Sequence, residues 1–437
     1  MTVMTDVPAS APQASARAHT AWLALAVLGV TTFNAFAMRS VFAPMQELAK
    51  LDLGLSDFRL SLVQGLAASI PIALLSIPLG RVTDRGNRMQ LLLWLGLTWT
   101  IGTLATAFVT DFYALFFARM VASIGGVCAV LVVISIAADL SPPESRGRSL
   151  LVLSLGNMAG VAAAFALGGA ALGTLNTTPL FEGLAPWRGV HVLFAICSFA
   201  LLLPLLLIRE PARQEIGENA NLPLSSALAA IWRMRALLAP LFIGQVSVVM
   251  ADTAAGIWAA PVLQRAYGVA PEEFAGWMGL VILGSGLVGS ILGGVLADAG
   301  HRSRIKGGIM IGAVLAAFLS IPGAFYPLMP DTTGFAWMLT LFLACGAITG
   351  LVTATSIAVL VPNELRGVCL ALFMVVASII GLGIAPTLVT LVSDALGGEG
   401  AVRYGLTITG AATSIAAAIG FSAAMLHAAR RKAEPSN

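Results

Sequence analysis

GRVTDRGNR, residues 80–88, and GVLADAGHR, residues 294–302, each follow an apolar stretch and repeat one pattern. A glycine, an acid and a basic residue stand at four-residue steps: Gly80, Asp84 and Arg88 in the first string, Gly294, Asp298 and Arg302 in the second. The two strings are 214 residues apart. A second pair, Pro142, Glu144, Arg146 and Gly147 against Pro362, Glu364, Arg366 and Gly367, is offset by 220 residues, and Ala43-Pro44 answers Ala260-Pro261 at an offset of 217. A shift this nearly constant means that one structural unit occurs twice along the chain, in the same orientation.

Composition says in which solvent that unit folds. Of 437 residues, 58% are hydrophobic and only 10% charged, against about 25% charge in a soluble domain. Stretches long enough to cross about 30 Å of hydrocarbon, which takes about 20 helical residues, recur with cores near 21–45, 60–80, 89–109, 112–137, 150–173, 187–208, 237–263, 274–297, 305–326, 335–361, 366–391 and 402–427. The fold class expected is therefore an all-α membrane protein, with twelve transmembrane helices in two six-helix pseudo-symmetric halves. The polar stretch 209–236 divides them into 21–208 and 237–427, with a disordered tail over 1–20 and a second tail over 428–437. The 45 glycines suit helices that must approach closely in lipid, and the pairs Gly156/Gly160, Gly169/Gly173 and Gly289/Gly293 each mark one helical face for such contact.

Basic residues set the orientation. Seventeen Lys and Arg fall in connections on the side of the termini, against Lys50, Arg59, Arg188, Arg265 and Arg403 on the other, and Arg39 and Arg119 lie within spans. Because basic loops stay in the cytoplasm, both termini are expected there, in a bacterial-type cytoplasmic (inner) membrane. A net charge of +3 without a basic, aromatic-studded stripe points away from nucleic acid. The four cysteines have no metal-ligand spacing, and His19, His191, His301 and His427 are scattered, so neither a metal site, a cofactor nor an enzyme active site is expected.

Between spans 2 and 3, GRVTDRGNR resembles the signature of the major facilitator superfamily, a glycine and an aspartate four apart followed by basic residues; the resemblance covers residues 20–427. A narrower resemblance, to spinster-like members, is carried by Asn34 with Arg39, by LGLSDFRLSLVQG (53–65), by DLSPPESRGRSL (139–150) and by the segment from Trp187 to Arg213. Two acids common in that branch are absent: Met38 precedes the span 1 arginine, and Gly126-Val127 stands where span 4 would carry a glutamate. The superfamily resemblance implies a conformational latch on the cytoplasmic face, formed by Gly80, Arg81, Asp84, Arg85 and Arg88 with Asp139, by Asp298 and Arg302 in the repeat, and by the Glu144–Arg146 and Glu364–Arg366 loops. Topogenesis by positive charge is the plainer account of the same residues.

A charge in the middle of a membrane helix costs about 2.5–3.5 kcal/mol on insertion scales, so it normally faces a cavity or a partner. Asp252 in span 7, Arg39 in span 1 and Arg119 in span 4 are the candidates for solute binding and proton coupling. Gln245 shares a helical stripe with Asp252, and Asn34, Gln64, Asn157 and Trp258 are polar or amphipathic groups at depth. Alternatives stand beside each: Arg39 can snorkel to headgroups, Arg119 can hold carbonyls at a kink, and His191 reads as an interfacial histidine. Two arginines against one aspartate favour an anionic or zwitterionic organic solute, and the cargo expected is small and anionic or amphipathic. The function expected is secondary active transport by alternating access of the two halves. Proton coupling is expected through Asp252, since burial favours the neutral acid while a nearby arginine favours the carboxylate. Small-molecule solute, protons and membrane lipids are the expected partners of a monomer; a uniporter or a solute-binding sensor is the alternative.

Overall fold

The computed structural model describes residues 11–141, 145–178, 180–213, 224–303, 305 and 307–431, with side chains from residue 22 onward except at 76, 77, 80, 81, 84, 85, 127, 224 and 431. Twelve helices among the described residues are long and apolar enough to cross a membrane, and none of the described residues forms a strand. Spans 1 to 6 are Trp22–Leu53, Asp57–Leu75, Arg88–Thr106, Phe112–Leu140, Arg146–Thr177 and Pro186–Leu207. Spans 7 to 12 are Arg235–Tyr267, Pro271–Arg302, Gly308–Leu328, Thr332–Leu360, Asn363–Ala395 and Glu399–Arg430. Each overlaps the stretch read from the sequence, and an even number of crossings puts both ends of the chain at one end of the bundle.

Local punctuation repeats along with the motifs. Asp111 and Asp331, 220 residues apart, begin spans 4 and 10 by accepting from the amides of Ala114 and Gly334, a cap that satisfies a donor the helix itself leaves open. Spans 1 and 7 end at Gly54 and Gly268, 214 apart, both in the left-handed region with φ 61° and 67°. Only glycine takes that conformation without steric cost, which fixes where each helix stops.

Two boundaries differ from expectation. The first helix starts at Ala11, ten residues inside the segment read as tail, because 11–21 is rich in alanine and carries no glycine. In the 209–236 linker, Leu224–Arg233 is a helix whose Ala227 and Ile231 are buried against Leu237 and Leu238, so that part of the linker packs onto the second half.

Small residues place the spans. A methyl on Gly160 would meet the main chain at Phe33, and one on Gly156 the carbonyl of Gly29, so spans 1 and 5 touch backbone to backbone. Gly289 and Gly293 bring span 8 equally close to Ala344 and Ile348 of span 10. Gly169 and Gly173 face Ala275 and Glu272, joining span 5 to span 8 across the boundary between halves. Another boundary contact pairs span 2 with span 11. There span 2 breaks at Gly65, span 11 widens into π-helical turns over Ala377–Ile384, and a Cβ on Gly65 would lie 2.7 Å from the Gly383 carbonyl. Widened turns leave carbonyls poorly paired and are frequent at functional sites.

Candidate cavity between the halves

Span 1 is interrupted at Val41, between helices Ala11–Ser40 and Phe42–Leu53. Pro44 explains the break: it has no N–H to donate to the Ser40 carbonyl four residues back. The interruption leaves the Arg39 carbonyl available, and the Nη2 of Arg119 donates to it at 2.5 Å. The Arg119 guanidinium also lies over the Phe42 ring, 5.2 Å from its centre, a contact in which the ring face offsets part of the cost of burial. Its Nη1 is buried with no acceptor.

These residues form one wall of a cavity of about 300 Å³ between the halves. Phe36, Arg39, Gln64, Arg119, Ser123 and Phe165 line it from the first half, and Asp252, Gly256, Ile257, Ile282, Leu343 and Leu382 from the second. The Arg39 guanidinium has no hydrogen-bond or ion-pair partner among the described residues, and neither has the Asp252 carboxylate; no arginine nitrogen comes within 4.0 Å of it. Asp252 lies against Gly346 of span 10, where any Cβ would overlap its carboxylate. On its far side a void of about 10 Å³ is lined by Ser320, Thr349 and Ser414.

The cavity is closed toward the end opposite the termini. Gln46 donates to the Ile257 carbonyl across the halves, and Gln64 donates to Gln46 at 2.9 Å. Beyond this roof lies a charged cluster from four spans. Arg265 holds two carboxylates at once, Nε and Nη2 on Glu47 at 3.0 and 2.7 Å, and Nη1 and Nη2 on Asp57 at 2.6 and 2.7 Å. Lys50 pairs with Asp57 at 2.7 Å and with Glu399, and Glu399 in turn accepts from the Asp57 amide at 2.8 Å. Glu47, Lys50 and Asp57 belong to the first half, Arg265 and Glu399 to the second. Bidentate, charge-assisted bonds of this kind are among the stronger polar contacts.

The cluster was missed from the sequence, where Lys50 and Arg265 read only as charges in connections and the three acids drew no reading. The signal lies in their position: Glu47 and Arg265 follow the matched Ala-Pro pairs by three and four residues, at the ends of the spans that carry Arg39 and Asp252.

Other expected site residues lie elsewhere. Gln245 shares the stripe of Asp252 but sits two turns toward the termini, where its Oε1 accepts from Thr353 at 3.0 Å, and it does not line the cavity. Asn34 is fully buried and donates to the Ser198 carbonyl at 3.1 Å, tying span 1 to span 6. Asn157 lines a separate slot of about 240 Å³ with Thr32, Ser154 and Leu150. Trp258 donates to the Pro386 carbonyl at 3.1 Å, and His191 is buried between Phe42 and Trp187, its Nδ1 2.8 Å from the Trp187 carbonyl.

Of the residues expected in a latch, Arg88 is buried and joins Asp139 of span 4 with Glu210 after span 6, the latter at 3.0 Å. Arg88 and Asp139 belong to the first half and Glu210 to the start of the linker, so this contact braces the first half instead of spanning both. Asp298, Arg302 and Glu364 are exposed, and Arg366 donates to the Val361 carbonyl at 2.9 Å. Arg146 is half-buried. Glu144 lies outside the described residues, as do the side-chain surroundings of Gly80, Arg81, Asp84 and Arg85.

Known proteins share this architecture. A search of curated proteins by sequence gave no match. Among solved structures, a bacterial homologue of the human lysosomal transporter Spinster, in an inward-facing and unoccupied conformation, is 23% identical with a TM-score of 0.77 over 95% of this chain and 98% of that one. The same homologue, inward-facing and occupied, gives 23% and 0.77 over 98% and 99%. A mutant of the nucleoside transporter NupG gives 14% and 0.73 over 92% and 99%. At these identities the likeness is one of fold. The family model described as Major Facilitator Superfamily matches residues 28–386. With twelve spans, two repeated halves and a cavity between them, this chain belongs to the Major Facilitator Superfamily.

Proposed function

We propose that the protein is a secondary active transporter of the spinster-like branch. It carries a small organic solute, anionic or amphipathic, by alternating access of its two halves, with protons as the driving ion. The observation that carries this reading is the pair of unpaired charges of opposite sign on opposing walls, Arg39 on the first half and Asp252 on the second, inside a cavity roofed on one side only by side-chain contacts between the halves. A purely structural carboxylate at this depth would be expected to have a partner, because an isolated buried charge is costly. With the acids of the spinster-like pattern missing at Met38 and Val127, Asp252 is left to exchange the proton.

Purified protein in liposomes loaded with a pH-sensitive dye tests this directly. A panel of small organic anions and zwitterions should include solutes that shift the internal pH only when protein is present, and a protonophore should abolish their accumulation. Solute flux indifferent to the gradient would make the protein a uniporter, and binding without flux would make it a sensor; either result refutes proton-driven transport.

The excess of basic residues on the side of the termini supports a cytoplasmic location for both ends. Alkaline phosphatase fused after Asn437 should be inactive, whereas fused between residues 174 and 186 it should be active. The opposite pattern would overturn the orientation and leave the fold untouched.

A further inference from the structure

Three ionisable groups reach the central cavity, and their arrangement is polar. Arg39 and Arg119 stand on the wall of the first half, from spans 1 and 4, and Asp252 stands on the wall of the second, from span 7. None is neutralised across the gap: Arg39 and Asp252 have no partner among the described residues, and the Nη1 of Arg119 has no acceptor. A simple anion would satisfy the arginines and leave Asp252 facing a like charge. A simple cation would satisfy Asp252 and meet two arginines. Only a solute carrying both charges at opposite ends leaves no buried group of the wrong sign exposed to it.

We propose that the cavity takes a compact zwitterion that bridges the two halves, its carboxylate on the guanidinium groups of Arg39 and Arg119 and its ammonium on Asp252. The proposal rests on the reading of this cavity as the transport site and names the solute class. Size follows from the volume. About 300 Å³ is at the small end of the range for organic-ligand sites, which suits a solute the size of an amino acid. Apolar side chains between the poles, Phe36, Phe165, Ile257 and Leu343, suit a short hydrocarbon stem. Guanidinium forks match a carboxylate in two-point geometry, while a lone carboxylate suits an ammonium. Because each half holds one end, a solute with both ends draws the halves together and one with a single end does not.

The test uses the full chain in detergent and four zwitterions, leucine, phenylalanine, 4-aminobutanoate and 6-aminohexanoate, each with its N-acetyl derivative and its methyl ester. Binding is read by thermal shift and by titration calorimetry, so the result stands apart from any flux. At least one of the four should bind, and capping either end should weaken it ten-fold or more. In Asp252→Asn the N-acetyl derivative should bind as well as its parent. In Arg39→Gln the preference for the parent over its ester should fall. Each variant is judged by a ratio of two ligands on the same protein, and the wild-type arm decides the matter if a variant does not fold. An N-acetyl derivative binding as tightly as its parent to the wild type, or no binding by any of the four, overturns the proposal. Zwitterion binding without transport would instead overturn the transport reading and leave the ligand class standing.

Discussion

Asp252→Asn should reduce accumulation under an imposed pH gradient to simple equilibration, while exchange of solute across liposomes continues when the solute is saturating. A gradient of one pH unit is worth about 1.4 kcal/mol per proton, enough for about ten-fold accumulation with one proton per solute, and the variant should lose all of it. Asn has nearly the shape of the protonated acid and cannot release a proton. The amide has nearly the volume of the acid, so the close approach to Gly346 is kept. Rocking of the halves would move Asp252 relative to the arginine wall, so that it could take a proton in one state and release it in the other. Wild-type accumulation by Asp252→Asn at equal protein density would remove Asp252 from the coupling step.

The second large effect is expected at the other end of the cavity. Arg265→Gln removes a guanidinium that holds Glu47 and Asp57 together, leaving three carboxylates with Lys50 as their one remaining cation in the cluster. Asp57 keeps Lys50, but Glu47, which is 8% exposed, loses both of its hydrogen bonds, and leaving a buried partner unmatched costs about 3 kcal/mol. The network joins the halves only while this face is closed, so that cost falls on the closed state. The ratio of open to closed molecules should therefore rise about 100-fold. Spin labels on the Asp111 and Asp331 connections would read the change as a longer distance across that face. A distance distribution identical to wild type would mean that the roof of Gln46 and Gln64 holds the face shut without the ions.

Much of the architecture could be read directly from the sequence. The repeated strings, the apolar spans and the glycine pairs are local patterns, and each maps onto a contact: Gly156 and Gly160 on span 1, Gly289 and Gly293 on span 10. The three charged candidates also come together in one cavity, because a charge at depth has few places to go. Uncharged polar residues were harder to place. Gln245 lies on the same stripe as Asp252, but a stripe does not say which turn meets the cavity and which meets Thr353. Asn34 and Asn157 satisfy or face neighbours away from the centre for the same reason. The Glu47, Lys50, Asp57, Arg265 and Glu399 cluster joins residues more than 340 positions apart in sequence, and no periodicity encodes such a meeting. Gly346 shows a further limit, since its role is to be absent where Asp252 needs space.

The repeat also separates what the halves inherited in common from what each acquired alone. Helix caps recur at the near-constant offset, as Gly54 with Gly268 and Asp111 with Asp331. The charges of the cavity do not. At the 217-residue offset Arg39 corresponds to Gly256 and Asp252 to Ala35, and at the 220-residue offset Arg119 corresponds to Leu339. Two identical units facing each other would present the same charge from both sides and could not tell one end of a solute from the other. The backbone thus keeps the record of a duplication, and the directionality of the cavity belongs to the divergence that followed it.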